Sequence, residues 1–334
     1  MTPPRNLLTD VSGIRVGNAH DPKLASGVTL VLFDEPAVAS VFVAGGAPAG
    51  RDLECLEPDR TVERVDAIVL SGGSGFGLDA ASGAQAWLRE RGRGLPVRDV
   101  RVPIVPSAIL FDLLNGGDKA WGRYPPYREL AYQACEAAGL GFELGTTGAG
   151  YGAITADLKG GLGSASTITA FGHTVAALAA VNAIGSAVIG GGPHFWAAAL
   201  EAGDEYGGLG FPPTITPEMR RATWKGRAEP ATTLAIIATD ASLTKAQAKR
   251  LATIAQGGLA QGLRLSHAAM DGDVVFAAST ARVPLHGGLD GFTELGIAAS
   301  DCLARAIARG VHAATALPLA GAMPAWKDRF RSSR

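Results

Sequence analysis

Short apolar runs alternate with turn residues in the first third of the chain and again in its last third. Residues 28–33, 39–43, 67–70, 232–238 and 274–278 contain many β-branched side chains, and most are bounded by Gly, Asp or Pro. This pattern predicts strands.

Other stretches carry the spacing that is typical of helices. They are residues 78–91, 128–138, 244–262 and 294–309. The third of these begins at a cap formed by Ser242 or Thr244. An alanine-rich stretch at 174–185 is also predicted to be a helix, with Asn182 as its polar residue. Strands mixed with large alanine helices predict an α/β fold in which helices cover paired sheets.

Thr232 and Thr233 open a predicted strand directly after the polar, proline-containing stretch 225–231. We interpret residues 212–230 as a surface linker that leads to this point. A threonine whose α-amino group has been freed carries nucleophile and general base on one residue, since an α-amine titrates near ~8. Thr232 is therefore a candidate nucleophile, whose hydroxyl would first cut the peptide bond before it. The alternative is an ordinary β-branched pair at the start of a strand.

Two carboxylates flank one glycine in Asp271-Gly-Asp273. Residues i and i+2 of an extended chain share a side, so both carboxylates could face the Thr232 hydroxyl or ammonium and pass protons. Asp-Gly is also a common hairpin turn, which is the alternative for Asp271. Two carboxylates without further oxygen ligands make a poor calcium loop, and no metal is expected.

Three further polar residues lie in apolar or glycine-rich surroundings. Asn182 is costly among apolar neighbours unless it is hydrogen-bonded, so it either ties down a loop or donates to an oxyanion. Lys159 and Tyr151 belong to the glycine-dense segments 158–163 and 145–151, which bracket a predicted short strand. Each is either exposed or supplies a donor to a substrate carbonyl.

The glycine turn at 71–77 joins a predicted strand to a predicted helix, where backbone amides could hold a phosphate. It lacks the Lys-Ser/Thr pair of a P-loop and the spacing of a dinucleotide fingerprint, and close backbone packing explains it equally well. Ser74 lacks the spacing of a nucleophile elbow. The histidines are scattered, so the sequence offers no basis for a Ser-His-Asp triad. No cofactor is expected.

The composition indicates which classes of binding partner to expect. Of 334 residues, 47% are hydrophobic, only 18% are charged and 45 are glycine, which favours surfaces buried against other subunits. With 30 basic and 31 acidic side chains the net charge is -1, so neither nucleic acid nor anionic lipid is implied as a partner.

The cysteines and the N-terminal segment indicate the compartment. Cys55, Cys135 and Cys302 are widely spaced and odd in number, which argues against a disulfide framework and a zinc site. Residues 1–10 lack the apolar core of a signal peptide, and no run approaches the ~18 apolar residues of a membrane span. We expect a cytoplasmic protein.

Six segments together resemble the P1 family of self-processing peptidases, which includes the D-aminopeptidase DmpA, β-aminopeptidases and the 6-aminohexanoate-oligomer (nylon oligomer) hydrolases. They are Ser71-Gly-Gly-Ser-Gly-Phe-Gly-Leu-Asp-Ala80, Val102-Pro-Ile-Val-Pro106, Leu158-Lys-Gly-Gly-Leu-Gly163, Ala180-Val-Asn-Ala183, Thr232-Thr-Leu-Ala-Ile-Ile-Ala-Thr-Asp-Ala241 and Asp271-Gly-Asp273. A Thr nucleophile with an Asp-Gly-Asp motif is most similar to the nylon-oligomer branch, whereas the aminopeptidases use Ser.

This resemblance implies a four-layer αββα sandwich of the DmpA and ornithine acetyltransferase type. It implies one catalytic domain, residues 1–334, which is cut into an α-chain, 1–231, and a β-chain, 232–334. The two chains would stay together and assemble as homotetramers.

The resemblance also implies the roles of individual residues. They are Thr232 as nucleophile and new N-terminus, Asn182 as oxyanion donor, Asp271 and Asp273 as acidic partners of the nucleophile, and Lys159 and Tyr151 as further site residues. One departure is Ala231, since the family usually has Asn or Gly before the nucleophile. Those two residues tolerate strained backbone angles that favour attack by the next hydroxyl, so slower cleavage is expected here.

The leading hypothesis is thus a self-cleaving hydrolase that forms an acyl-enzyme on Thr232 and acts on short peptides or peptide-like linear amides. Two alternatives remain open. One is an acyltransferase similar to the ornithine acetyltransferases, which passes the acyl group to an amine. The other is an unprocessed relative without catalysis, which Ala231 keeps under consideration.

Overall fold

The computed structural model describes residues 3–226 and 230–330. The strands are β1 Ile14–Asp21, β2 Ser26–Val43, β3 Gly50–Arg51, β4 Arg64–Ser71, β5 Leu95–Val97, β6 Val100–Val102, β7 Ser107–Ile109, β8 Gly161–Ile168, β9 Thr174–Asn182, β10 Thr232–Ala241 and β11 Val274–Val283. The α-helices are α1 Ala80–Glu90, α2 Tyr127–Glu136, α3 Lys245–Ala255, α4 Gly257–Gly262, α5 Gly288–Ala313 and α6 Trp326–Phe330. In these two described stretches, every helix is too short or too polar to cross a bilayer.

One long strand connects the two halves of the main sheet. The strand order is β3-β7-β4-β2-β11-β10-β9-β8, and β1 pairs with β2. The first part of β2 pairs with β1 and β4, whereas residues 38–43 pair with β11. The register against β4 shifts between Leu32 and Ala37. A bulge of this kind bends a strand, and here it divides the sheet into two parts that face each other.

Alternating side chains show the layers. On β9, Ala177 and Ala179 pack under α3, α4 and α5, whereas Leu178 and Ala180 belong to a core shared with Val31 and Phe33 of β2. Residues of β2 that point the other way join the core of α1 and α2. The order is therefore helices, sheet, sheet and helices, which confirms the expected four-layer sandwich.

Most predicted elements are present, but two predictions are wrong. Residues 174–185 do not form a helix, because 174–182 is the inner strand β9, paired with β8 and β10. A continuous apolar run does not distinguish a buried strand from a helix, and pairing on both edges overrides the helix propensity of alanine. The short strand expected between the glycine segments is also absent: that stretch has only the isolated bridge Ile154–Lys159, and β8 begins at Gly161.

Candidate active site

Thr232 begins β10 at the point where several chain segments meet. It pairs directly with Asn182, the last residue of β9. Because β9 runs antiparallel and β11 parallel to β10, the end of β9 and the starts of β10 and β11 lie at the same edge of the fold. This topology brings Asn182, Thr232 and the Asp271-Gly-Asp273 segment together. The Thr232 side chain is buried there, with 4% of the residue exposed.

The peptide bond before Thr232 continues the strand pairing. Ala231 forms a parallel bridge with Asp271: its N–H donates to the Met270 carbonyl at 3.2 Å, and its carbonyl accepts from the Gly272 N–H at 2.8 Å. Thr232 Oγ1 donates to the same Ala231 carbonyl oxygen. The hydroxyl therefore lies beside the bond that it is expected to cut.

The conformation of Ala231 removes the reason for expecting strain at this position. The residues with positive φ in the described part of the chain do not include Ala231, and its bridge is that of an extended strand. Alanine adopts extended backbone as readily as most residues do. Having Ala231 where the family usually has Asn or Gly therefore carries no conformational cost in the uncut chain.

Asp271 and Asp273 are both buried beside the strand start. Asp273 Oδ1 accepts from the Thr233 N–H at 2.6 Å. Burial, and then the neighbouring charge and hydrogen bond of Asp273, raise the pKa of Asp271 well above its ordinary value, while Lys225 acts in the opposite direction. Within the described chain Asp271 Oδ1 has no hydrogen-bond partner. The site thus holds one aspartate that binds the strand and one that is poised to carry a proton.

His267 also belongs to this group, although the scattered spacing of the histidines in the sequence did not predict a role for any of them. Its Nδ1 lies 2.8 Å from Asp273 Oδ2, and its backbone N–H donates to the same oxygen at 2.9 Å. On the other side Nε2 lies 2.8 Å from Gln256 Oε1. His267 has φ of 60°, so this loop holds a rare backbone conformation. Its closeness in sequence to the Asp-Gly-Asp motif was the only available signal.

Asn182 connects three segments. Its Nδ2 donates to the Phe111 carbonyl at 2.8 Å, and its Oδ1 accepts from the Ile154 N–H at 3.0 Å. Lys225 Nζ donates to Asn182 Oδ1 at 3.3 Å and to the Asn182 carbonyl at 3.1 Å. In the uncut chain, therefore, Asn182 ties neighbouring loops together, which is the first of its two predicted roles.

Lys225 is a second residue that the sequence analysis missed. It was assigned to a surface linker, but only 5% of it is exposed, and it lies at the centre of the Asn182 contacts. Most other described residues of the 212–230 stretch are partly or fully exposed. Residues 227–229 of that stretch lie outside the described residues. A lysine in a polar, proline-containing segment gives no sequence signal of burial.

Lys159 and Tyr151 lie near the site in different ways. Lys159 Nζ donates to the carbonyls of Gly150, Ala153 and Gly160, which binds together the turn that carries it. Burial lowers the pKa of Lys159 to about 7, and Asp112 opposes this shift. Tyr151 stacks on His20, with ring centroids 4.3 Å apart. In the described chain neither residue has a hydrogen bond to Thr232, Asn182 or the aspartates.

A cavity of about 280 Å³ adjoins these groups. Its wall includes the residues that Asn182 contacts, Phe111, Ile154 and Lys225, together with Lys159 and Pro230. Pro230 lies two residues before Thr232, so the cavity reaches the segment around the bond to be cut. Its volume lies just below the ~300–1,000 Å³ of typical ligand pockets, so it can hold part of a short peptide or of a comparable linear amide.

Comparison with known proteins decides the family. The model of peptidase family S58 matches residues 6–322. The chain belongs to peptidase family S58. Similar members include an uncharacterized aminopeptidase of Mycobacterium tuberculosis, 40% identical over 97% of this chain and 98% of that protein. A 6-aminohexanoate-oligomer endohydrolase of a Kocuria species is 25% identical, over 84% of this chain and 76% of that protein.

Two solved structures of aminopeptidases have the same fold. A β-aminopeptidase of a Burkholderia species matches with a TM-score of 0.72 at 23% identity, over 98% of this chain and 92% of that chain. The L-aminopeptidase D-Ala-esterase/amidase of Ochrobactrum anthropi, described as a variant of the Ntn hydrolase fold, matches with a TM-score of 0.69 at 21% identity, over 95% and 88% of the chains.

Membership in family S58 confirms the resemblance found in the sequence. The protein is a hydrolase of peptide-type amide bonds, and its α/β architecture is that of the Ntn hydrolase fold. The family match covers Asn182, Thr232 and the two aspartates, since all of them lie between residues 6 and 322.

Proposed function

We propose that the protein is a self-cleaving amidohydrolase whose nucleophile is Thr232, and that the cut yields chains 1–231 and 232–334. One observation carries this proposal: the Thr232 hydroxyl donates to the carbonyl oxygen of Ala231, across the bond that would break. A buried hydroxyl beside the preceding carbonyl is the arrangement that an N-to-O acyl shift requires.

The self-cleavage follows from these positions. Thr232 Oγ bonds to the Ala231 carbonyl carbon, the bond from that carbon to Thr232 N breaks, and the hydroxyl proton ends on the nitrogen. The product is an ester between Ala231 and Thr232 Oγ. Water then hydrolyses the ester, which leaves the Ala231 carboxylate, the Thr232 hydroxyl and a free Thr232 α-amine.

The same groups would cleave an external amide. The freed α-amine takes the Oγ proton as the hydroxyl attacks a substrate carbonyl. An α-amine has an ordinary pKa of ~8 and is therefore basic enough at neutral pH. The amine of the substrate leaves, and water releases the acyl group. Asp273, which accepts from the neighbouring Thr233 N–H, and Asp271 would stabilise the charge of the new ammonium, and Asn182 would donate to the oxyanion.

The substrates that we propose are short peptides or peptide-like linear amides. The aminopeptidase relative and the 6-aminohexanoate-oligomer endohydrolase support this class, and the cavity beside Asn182 has a matching size. Lys159, in the cavity wall, and Tyr151, in the adjoining loop, would supply hydrogen-bond donors to a substrate carbonyl.

We further propose a homotetramer in the cytoplasm. The hairpin of β5 and β6 supports association, because Leu95, Val97, Val100 and Val102 lie in facing register and are between 44% and 59% exposed. Aliphatic side chains that share one face of a ribbon favour burial against another subunit.

Intact-mass measurement of purified protein tests the nucleophile. We expect two fragments that end at residue 231 and begin at residue 232, and hydrolysis of a short peptide amide only after the cut. Thr232→Val should remain whole and inactive. Thr233→Val is the matched control, because the buried Thr233 hydroxyl has no hydrogen-bond partner in the described chain, and this variant should be cut and active.

Identification of the reaction products distinguishes hydrolysis from acyl transfer. When an amino acid is supplied with the substrate, a hydrolase gives the free acid, whereas an acyltransferase gives a new amide. A Thr232→Val variant that is cut or fully active would overturn the proposal.

A further inference from the structure

The ladder hydrogen bond that Ala231 accepts has a consequence for the self-cleavage reaction. Ala231 and Asp271 keep the same sequence offset as Leu234 and Val274, so the parallel pairing of β10 and β11 extends across the bond before Thr232. In a parallel ladder the carbonyl of every second residue of a strand takes one N–H from a given neighbouring strand. For Ala231 that N–H is the amide of Gly272, at 2.8 Å.

We propose that the Gly272 backbone N–H is the oxyanion donor for self-cleavage. This inference rests on the proposed function of Thr232. As Oγ bonds to the Ala231 carbonyl carbon, an electron pair moves to the carbonyl oxygen, which becomes an oxyanion already in contact with the Gly272 amide. A donor fixed at the developing charge lowers the barrier without reorganisation.

Asn182 does not serve this carbonyl in the uncut chain. Its Nδ2 donates to the Phe111 carbonyl and its Oδ1 accepts from Ile154 and Lys225. The Ala231 carbonyl has two observed donors, the Gly272 N–H and the Thr232 hydroxyl, and the hydroxyl is consumed as the nucleophile. The Gly272 amide thus remains as the donor when the tetrahedral intermediate forms.

The absence of a side chain at residue 272 supports the assignment. A Cβ at Gly272 would lie 2.6 Å from Thr232 Oγ1 and 3.1 Å from the Ala47 carbonyl oxygen. Residue 272 therefore lies against the nucleophile, and only a glycine leaves the hydroxyl room beside the amide that donates.

An amide-to-ester replacement tests this donor without adding a side chain. Glycolic acid at position 272, incorporated by nonsense suppression in cell-free translation, removes the N–H that donates to Ala231. Lactic acid at position 47 is the matched control, because it removes the N–H that donates to the Asp271 carbonyl beside Gly272 and leaves both residues of the bond before Thr232 unchanged. Each protein is followed by intact mass to obtain the half-time of the cut.

We expect the 272 ester to be cut ~10²-fold more slowly than the wild type, the usual loss for one oxyanion donor, and the 47 ester to be cut at nearly the wild-type rate. A difference of less than about tenfold between the two esters overturns the inference, because each ester removes one backbone N–H donor of the same segment and only the 272 ester removes the donor to Ala231. Urea unfolding of both esters in the uncut Thr232→Val background separates misfolding from chemistry. A wild type that is never cut would instead overturn the proposed function.

Discussion

Asn182 and Thr232 are direct register partners on adjacent antiparallel strands. The side chains of such a pair project from the same face, with Cβ atoms ~5 Å apart. The sheet therefore sets the distance between the proposed oxyanion donor and the nucleophile. The bonds from Asn182 to Phe111 and Ile154 then fix the orientation of the amide.

Replacing Asn182 should affect stability as well as catalysis. In the uncut Thr232→Val background, Asn182→Ala should lower the free energy of unfolding by about 1–3 kcal/mol, because the Ile154 N–H and the Phe111 carbonyl lose their buried partner. Urea unfolding measures this loss. In cleaved protein the same change should lower kcat by ~10²-fold. Unchanged stability would contradict the role of the amide as a tie between loops.

A methyl group at residue 272 should block the cut. Gly272→Ala places a Cβ 2.6 Å from Thr232 Oγ1, so the hydroxyl must leave the Ala231 carbonyl. We expect whole, folded and inactive precursor by intact mass and circular dichroism. Gly75→Ala is the matched control, because a Cβ there meets nothing within 4 Å, and this variant should be cut normally. Normal cutting of Gly272→Ala would show that the hydroxyl does not need this position.

The pH dependence of stability should reveal Asp271. Its pKa is raised by burial and by Asp273, so between the ordinary value near ~3.9 and the raised value the folded state binds more protons than the unfolded state. The free energy of unfolding therefore falls as the pH rises through that window, by at most ~1.4 kcal/mol per pH unit for one group.

Asp271→Asn removes this dependence. In the uncut Thr232→Val background we expect urea unfolding from pH 4 upward to give a flatter profile for Asp271→Asn than for its parent. The variant should also be more stable than the parent at the alkaline end, while the same change in the active background should abolish hydrolysis. Parallel profiles would contradict the raised pKa of Asp271.

His267 should act as a positioning residue through Asp273. His267→Ala removes the ring nitrogen that lies 2.8 Å from Asp273 Oδ2, so the carboxylate that holds the Thr233 N–H becomes less fixed. We expect kcat to fall ~10-fold with little change in KM.

His267→Asn should restore much of the lost rate. The Asn amide nitrogen can occupy the position of Nδ1, and Asn tolerates the positive φ of this residue. His194→Ala, at a histidine whose Nδ1 lies 2.9 Å from the Gly210 carbonyl oxygen, is the control and should leave kcat unchanged. Equal losses in His267→Ala and His267→Asn would indicate that the ring only supports the loop.

Several features of the fold and of the site could be predicted from the sequence. The strand at 274–278, the helix at 294–309 and the strand that begins at Thr232 follow from local periodicity and bounding turns, and the structure contains all three. Six segments in order along the chain, among them those of Thr232 and Asp271-Gly-Asp273, identified the family, which the match over residues 6–322 confirms.

Other parts depended on pairing between distant segments. The alanine-rich stretch that ends at Asn182 has the propensity of a helix, and only its two neighbouring strands make it a strand. Burial of Lys225 and the contact of His267 with Asp273 follow from how loops close over the strand ends, and neither leaves a periodic signal.

The sequence by itself determined the class of protein, the four-layer architecture implied by its family, and the threonine and aspartates on which the proposed chemistry depends. Only the tertiary structure decided which groups touch the bond before Thr232, namely the Thr232 hydroxyl and the Gly272 amide. The physical reason is that local preference acts over a few residues, whereas the register of β9, β10 and β11 joins positions that lie 40 or more residues apart in the chain.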